Sequence, residues 1–213
     1  MDYKRAAEIQ IRLASMLKLK WEGKKVRTVA GADFSYDRET QRIGAKIIVF
    51  DAEDMRIVDS AEAIRPVRFP YVPGFLLLRE APSFFQAFRK LNVKPDLTLI
   101  DGNGIAHPRK MGLASYVGVA LDICTVGCAK NPFFPYVPPS TERGSMTDFF
   151  DRKGEKVGVC VRTRSDVKPV FVSPGHRVDI ENAVKWVLRC AVFRIPEPIR
   201  KAHFRAKDLL LKK

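Results

Sequence analysis

Three strand-like runs follow one another near the start of this chain: VRTVAGADFS (26–35), GAKIIVFD (44–51) and MRIVDSAEAI (55–64), with only turn-rich or charged residues between them. Links this short favour an antiparallel meander, because parallel neighbours need a crossover of a dozen or more residues. The pattern then changes. GFLLLREAPSFFQAFRKL (74–91) has helical spacing, with a kink or restart expected at Pro82, which lacks an amide hydrogen. KPDLTLID is a short apolar strand ending in a carboxylate, GNGIAHP a loop, RKMGLASYVGVALD a helix rich in small residues and ICTVGCA another strand. Strands that alternate with helices pair in parallel. The chain is therefore expected to be α/β, with a mixed sheet flanked by helices.

The remaining segments add to this frame. From Tyr3 to Leu19, Ala6, Ile9, Leu13, Met16 and Leu17 recur near helical period among Lys and Arg, which predicts a basic amphipathic helix. The four prolines between Lys130 and Gly154, with Ser, Thr, Asn and Gly, predict a long loop. KVGVCVRT and PVFVS read as added strands, DIENAVKWVLRCAVF as a helix opened by acidic residues, and IPEPIRKAHFRAKDLLLKK as a final basic helix. With 213 residues and no shift in composition, a single domain spanning 1–213 is expected.

Charge narrows the partners. Against 24 Asp and Glu stand 38 Lys and Arg, a net charge of +14, which points to nucleic acid ahead of an acidic membrane; solubilising surface charge usually needs a smaller excess. The stretch LASYVGVALDICTVGCA is interrupted by Asp122 and too short for a comfortable membrane span. The four cysteines, at 124, 128, 160 and 190, form neither CxxC pairs nor a zinc pattern and read as reduced, mostly buried thiols. MDYKRAAEIQ carries charges where a signal peptide needs an apolar core, so a cytoplasmic protein is expected.

Two carboxylates each terminate an apolar run, Asp33 on the first strand and Asp101 on the fourth. Three meander strands, a helix and a parallel fourth strand form the order that, in a ribonuclease-H-like layout, sets the first and fourth strands side by side. Asp33 and Asp101 would then meet at one end of the sheet, with Glu80 within helical reach. Like charges held together favour a cation between them, and oxygen ligands without a Cys or His cluster favour magnesium or manganese. A turn-forming or capping aspartate is the structural alternative, and spacing alone leaves both open. The pentamer FPYVP occurs at 69–73 and again at 134–138. Its prolines hold Tyr71 and Tyr136 in stiff, exposed turns.

Six blocks in order, VAGADFS, FPYVPGFLLLREAP, DLTLIDGNGIAHPRKMGLAS, TVGCAK, FVSPGH and RIPEPIRKAH, resemble the successive signatures of the endonuclease V family of deoxyinosine-directed DNA repair nucleases. The resemblance implies a ribonuclease-H-like fold and a Mg2+-dependent site in which Mn2+ can substitute. It also implies hydrolysis of the second phosphodiester bond 3′ to hypoxanthine, leaving 3′-hydroxyl and 5′-phosphate ends. Asp33, Glu80 and Asp101 match the family's acidic triad, and His203 a histidine near the metal. Lys130 and His107 match positions near the substrate, where they hold the phosphate or orient water. Tyr71 matches the strand-separating ring, and Leu76 and Gly102 the contacts of the base pocket. A packed leucine and a turn glycine are the structural readings of those last two.

His176 reads as a structural histidine or a neighbour of the DNA backbone. Tyr136 reads as part of a packed loop, because NPFFP departs from the family pattern after GCAK, as Cys128 does within it. The expected partners are deoxyinosine-containing DNA and inosine-containing RNA, met by a monomer without a membrane. The competing readings are a non-catalytic basic nucleic-acid-binding protein and a generic ribonuclease-H-like nuclease. The first predicts binding that weakens steeply with salt and no dependence on Mg2+, and the second gives no reason for FPYVPG ahead of Glu80.

Overall fold

The computed structural model describes residues 2–23 and 25–203. They form one eight-stranded sheet in the order β3-β2-β1-β4-β5-β8-β7-β6. The meander comprises β1 (Thr28–Asp37), β2 (Arg42–Asp51) and β3 (Ile57–Pro66), paired antiparallel as expected. After α2 (Leu76–Arg89), the chain returns as β4 (Leu97–Ile100) parallel to β1, and after α3 (Leu113–Leu121) as β5 (Thr125–Ala129) parallel to β4. β6 (Met146–Phe150), β7 (Lys156–Val161) and β8 (Val170–His176) complete the sheet antiparallel, β8 against β5.

The period-two alternation of the strands divides the core between two faces. Val29, Ile48, Leu97, Leu99 and Val126 turn toward α4 (Ile180–Cys190) and toward Ile199 and Ala202 of the helical segment 197–203. Ala30, Ala32, Ile47, Val49 and Ile100 turn toward α2 and α3, which bury Phe84, Phe88, Leu113 and Val117 against them. The short β4 is buried throughout, which is why it reads as a continuous apolar run. The stretch resembling a membrane span divides into α3 and β5 as expected, and no helix among the described residues is long and apolar enough to cross a membrane.

Several expectations need correction. The first helix, α1 (Tyr3–Ala14), stops before Leu19. Lys18 instead joins the end of β8, its amide donating to His176 Nδ1 (3.2 Å) and its carbonyl accepting from the Arg177 amide (2.6 Å). Pro82 neither ends nor restarts α2. It lies on the exposed side, while Leu77, Ala81, Phe84 and Phe88 anchor the turns on either side of it to the sheet, and this burial outweighs the missing backbone hydrogen bond. The 130–154 segment is not all loop, because MTDFF pairs with β7 as an edge strand. With only Phe149 of β6 buried, its sequence carries almost no alternation. α4 ends at Cys190, and Ala191 is already extended. The final helix is seen over 197–203; its expected continuation lies outside the described residues.

Candidate active site

Parallel pairing of β1 with β4 ends at Ala32 opposite Ile100, and the Asp101 amide extends it by donating to the Ala32 carbonyl (3.0 Å). The next residues on the two strands are Asp33 and Asp101, which thus become lateral neighbours. Asp33 is not at the end of its strand as expected. β1 continues to Asp37 because its antiparallel partner β2 outruns β4. Asp33 is only 4% exposed. Burial, reinforced by Asp101, raises its carboxyl well above the usual carboxylate range. Glu80, carried by α2, is pushed up to about 8 by burial and then by Asp101 and Asp33.

Two basic side chains close this acidic group. Lys130, just past β5, donates to Asp101 Oδ2 (2.5 Å). Burial works against its charge, but the Asp101 carboxylate outweighs it and raises the Lys130 ammonium above its ordinary value. His203 Nδ1 meets Asp33 Oδ2 from the 197–203 helix. The expected residues Asp33, Glu80, Asp101, Lys130 and His203 are therefore brought together. A recess of ≈ 270 Å³ is lined by the three carboxylates, Lys130, Leu76 and Gly102.

Leu76 opens α2 and borders two further recesses. One, ≈ 50 Å³, is lined by Gly102, Asn103, His107 and Phe133 together with Leu76. The other, ≈ 500 Å³, lies between Glu80 and Tyr71 and is lined by Tyr36 and Arg79. Tyr71, 66% exposed, stands just ahead of a tight turn in which the Phe75 amide donates to the Val72 carbonyl (2.9 Å). Both copies of the pentamer bury their phenylalanine, Phe69 and Phe134, and expose their tyrosine. Tyr136 nevertheless packs edge-on against Phe171 (4.7 Å between centroids), the packed loop that was expected.

His107 is buried and engaged by backbone on both ring nitrogens. Nδ1 accepts from the Arg109 amide (3.2 Å), so Nε2 carries the hydrogen donated to the Gly74 carbonyl (3.1 Å). It forms a wall of the smaller recess and presents no unengaged nitrogen to a phosphate. His176 is structural: it is buried, with Nδ1 taken by Lys18 and Nε2 by Asp122 (3.1 Å). Sequence reasoning missed Phe133, edge-on to His107 at 5.2 Å, and the Arg79 guanidinium stacked 3.8 Å above the Tyr36 ring. The NPFFP departure was the signal for the first; nothing in the order of residues points to the second.

The donor set is suited to a hard cation. Among the described residues no group of three or more His, Cys, Asp or Glu is already drawn in around a metal position. Yet three converging carboxylates, two of them raised by burial and then by Asp101, are the chemistry that a divalent cation would relieve. The cysteines are reduced thiols, with Cys128, Cys160 and Cys190 buried. Burial pushes the Cys128 thiol up, so it offers no nucleophile beside Asp101.

A carboxylate group set where the first and fourth strands of such a sheet run side by side defines a ribonuclease-H-like nuclease. The comparisons narrow that class. A family model described as Endonuclease V matches residues 11–204. Endonuclease V of Dictyoglomus turgidum is 38% identical over 213 residues, covering 98% of this chain and 91% of its own. The crystal structure of endonuclease V from Streptomyces avermitilis superposes with a TM-score of 0.94 at 40% identity, covering 99% of this chain and 94% of that one. That of Ciona intestinalis endonuclease V, in complex with DNA containing an inosine followed by a ribo-adenosine, superposes at 0.87 with 28% identity, covering 100% and 99%. The chain belongs to the endonuclease V family and is an endonuclease, a hydrolase of phosphodiester bonds.

Proposed function

We propose that this endonuclease recognises deoxyinosine in DNA and hydrolyses the second phosphodiester bond 3′ to the lesion, with Mg2+ as its cofactor and Mn2+ able to replace it. The observation that carries this reading is the convergence of Asp33, Glu80 and Asp101, from three separate elements, on a recess that shares Leu76 and Gly102 with a smaller pocket behind the Tyr71 turn. The extruded base would enter the pocket bounded by Leu76, Gly102 and His107, which must widen beyond its ≈ 50 Å³ to take a purine, while Tyr71 stacks into the space the base leaves and offsets part of the few kcal/mol that unstacking costs. The Ciona relative, crystallised with inosine-containing DNA, supports the choice of lesion.

Asp33, Glu80 and Asp101 would hold the cation, which would supply acidification of a water and neutralisation of charge on the scissile phosphate. Lys130 adds positive charge at the same recess, and His203 holds the Asp33 carboxylate from its other side. Action as a monomer belongs to the same proposal.

Cleavage of matched DNA and RNA oligonucleotides with a single inosine, in Mg2+, Mn2+ or EDTA, tests the reading. We expect a metal-dependent nick at the second bond 3′ to the inosine, and the two rates rank DNA against RNA. Asp101→Asn is expected to abolish the nick while leaving thermal unfolding cooperative and DNA binding intact by fluorescence anisotropy. Unchanged turnover in that variant would remove the metal assignment.

A further inference from the structure

The Gly74 carbonyl, just past the Tyr71 turn, accepts hydrogen bonds from three side chains: Gln10 Nε2 (3.1 Å), His107 Nε2 (3.1 Å) and Arg109 Nη2 (2.7 Å). Gly74 itself has φ +80°, which favours glycine and lets the carbonyl face this group. Gln10 ties the group together. Its Oε1 accepts from Arg109 Nε (2.6 Å), and its Nε2 also donates to the Met111 carbonyl (3.3 Å). It is the buried residue of α1, at 2% exposure. One amide thus links the first helix, the Tyr71 turn and the loop that follows β4.

A second contact from the same helix acts on the same turn. Tyr3 packs on both phenylalanines that flank it, edge-on to Phe69 at 6.1 Å and tilted against Phe75 at 5.7 Å, while the Arg109 guanidinium lies 4.4 Å above the Phe75 ring. Tyr3 and Gln10 both precede residue 11, where the family match begins. The basic amphipathic pattern of α1 accounts for neither residue.

A ring that must enter the duplex works only if its backbone does not yield. If the Tyr71 turn moved freely, ordering it would consume part of the stacking gain. We propose that α1 is a clasp for this turn and that Gln10 is its positioning residue, acting through Tyr71 on the opening of paired DNA. The inference rests on the reading of Tyr71 as the strand-separating ring.

The test is single-turnover cleavage in Mg2+ of one inosine oligonucleotide, offered as a paired duplex and as a single strand, by the full-length wild type, Gln10→Leu, Gln10→Glu, Tyr71→Ala and the Gln10→Leu/Tyr71→Ala double variant. Gln10→Leu is expected to slow the duplex about tenfold and to leave the single strand within about twofold, as loss of buried hydrogen bonds to the turn would. Gln10→Glu retains the acceptor for Arg109 but loses both donated bonds; it is expected to show the same duplex-specific loss and serves where Gln10→Leu does not fold. The double variant should be no slower on duplex than Tyr71→Ala alone. Equal losses on both substrates, or no loss in either Gln10 variant, with Tyr71→Ala still duplex-specific, would overturn the clasp and leave the Tyr71 reading intact. A Tyr71→Ala variant that loses no duplex selectivity would overturn both.

Discussion

His107 shows how a residue beside the proposed base pocket can be fixed by its environment. Burial, and then the nearby Arg109 charge, lower its pKa from 6.5 to about 4, consistent with the neutral tautomer that its two hydrogen bonds require. The unfolded chain takes up this proton at a higher pH than the native protein does. Its contribution to stability is therefore complete above the ordinary histidine value and is lost as pH falls from 6.5 toward about 4. Urea unfolding at pH 7 and at about pH 4.5 should show His107→Gln losing less stability across that interval than the wild type, by roughly 3 kcal/mol at most. Parallel curves would mean that His107 is not held neutral.

Among the elements, the 197–203 helix owes its placement to a single small residue. A Cβ on Gly31 would fall 1.9 Å from the Pro198 carbonyl carbon and 2.4 Å from the Ile199 nitrogen, so the helix rests directly on the β1 backbone. This contact delivers His203 to Asp33, two residues along the strand. Gly31→Ala must push the helix outward, with an expected loss of about 1–3 kcal/mol in urea unfolding, as in other overpacked cores. Its cleavage rate should fall at least to that of His203→Ala, because the whole helix is displaced. A Gly31→Ala enzyme as active as wild type would show that His203 does not need this seat.

At the scale of the molecule, the +14 charge predicts how binding responds to salt. Each phosphate neutralised releases counterions, so log affinity should fall linearly with log salt, with a slope of about −0.9 per contact. Anisotropy titrations of Asp101→Asn in EDTA, from about 50 to 200 mM salt, should lose about a thousandfold if some six phosphates are held. The preference for inosine over guanine in the same duplex should change little over that range, since base contacts in the Leu76–Gly102 pocket release no counterions. A preference that collapsed with salt would place recognition in the charged surface instead.

Much of this architecture is written locally. The runs VRTVAGADFS, GAKIIVFD and MRIVDSAEAI with their short links, the helix that follows and the apolar run ending at Asp101 were enough to predict a mixed sheet, because link length constrains strand pairing, and a ribonuclease-H-like layout then set its first and fourth strands side by side. The six blocks then added Lys130 and His203 to Asp33, Glu80 and Asp101. Tertiary structure decided what depends on packing between distant segments. Pro82 is carried within α2 by side chains buried on both sides of it, and Met146–Phe150 becomes a strand because β7 offers it an edge. Asp33 lies mid-strand because β2 is longer than β4. Gln10 lies in no motif and Arg109 was given no role within its block, and their meeting at the Gly74 carbonyl exists only once α1 and the loop after β4 have folded against the same turn. Local period reports which face of an element is buried, and it holds no information about which distant backbone atom will need a donor there.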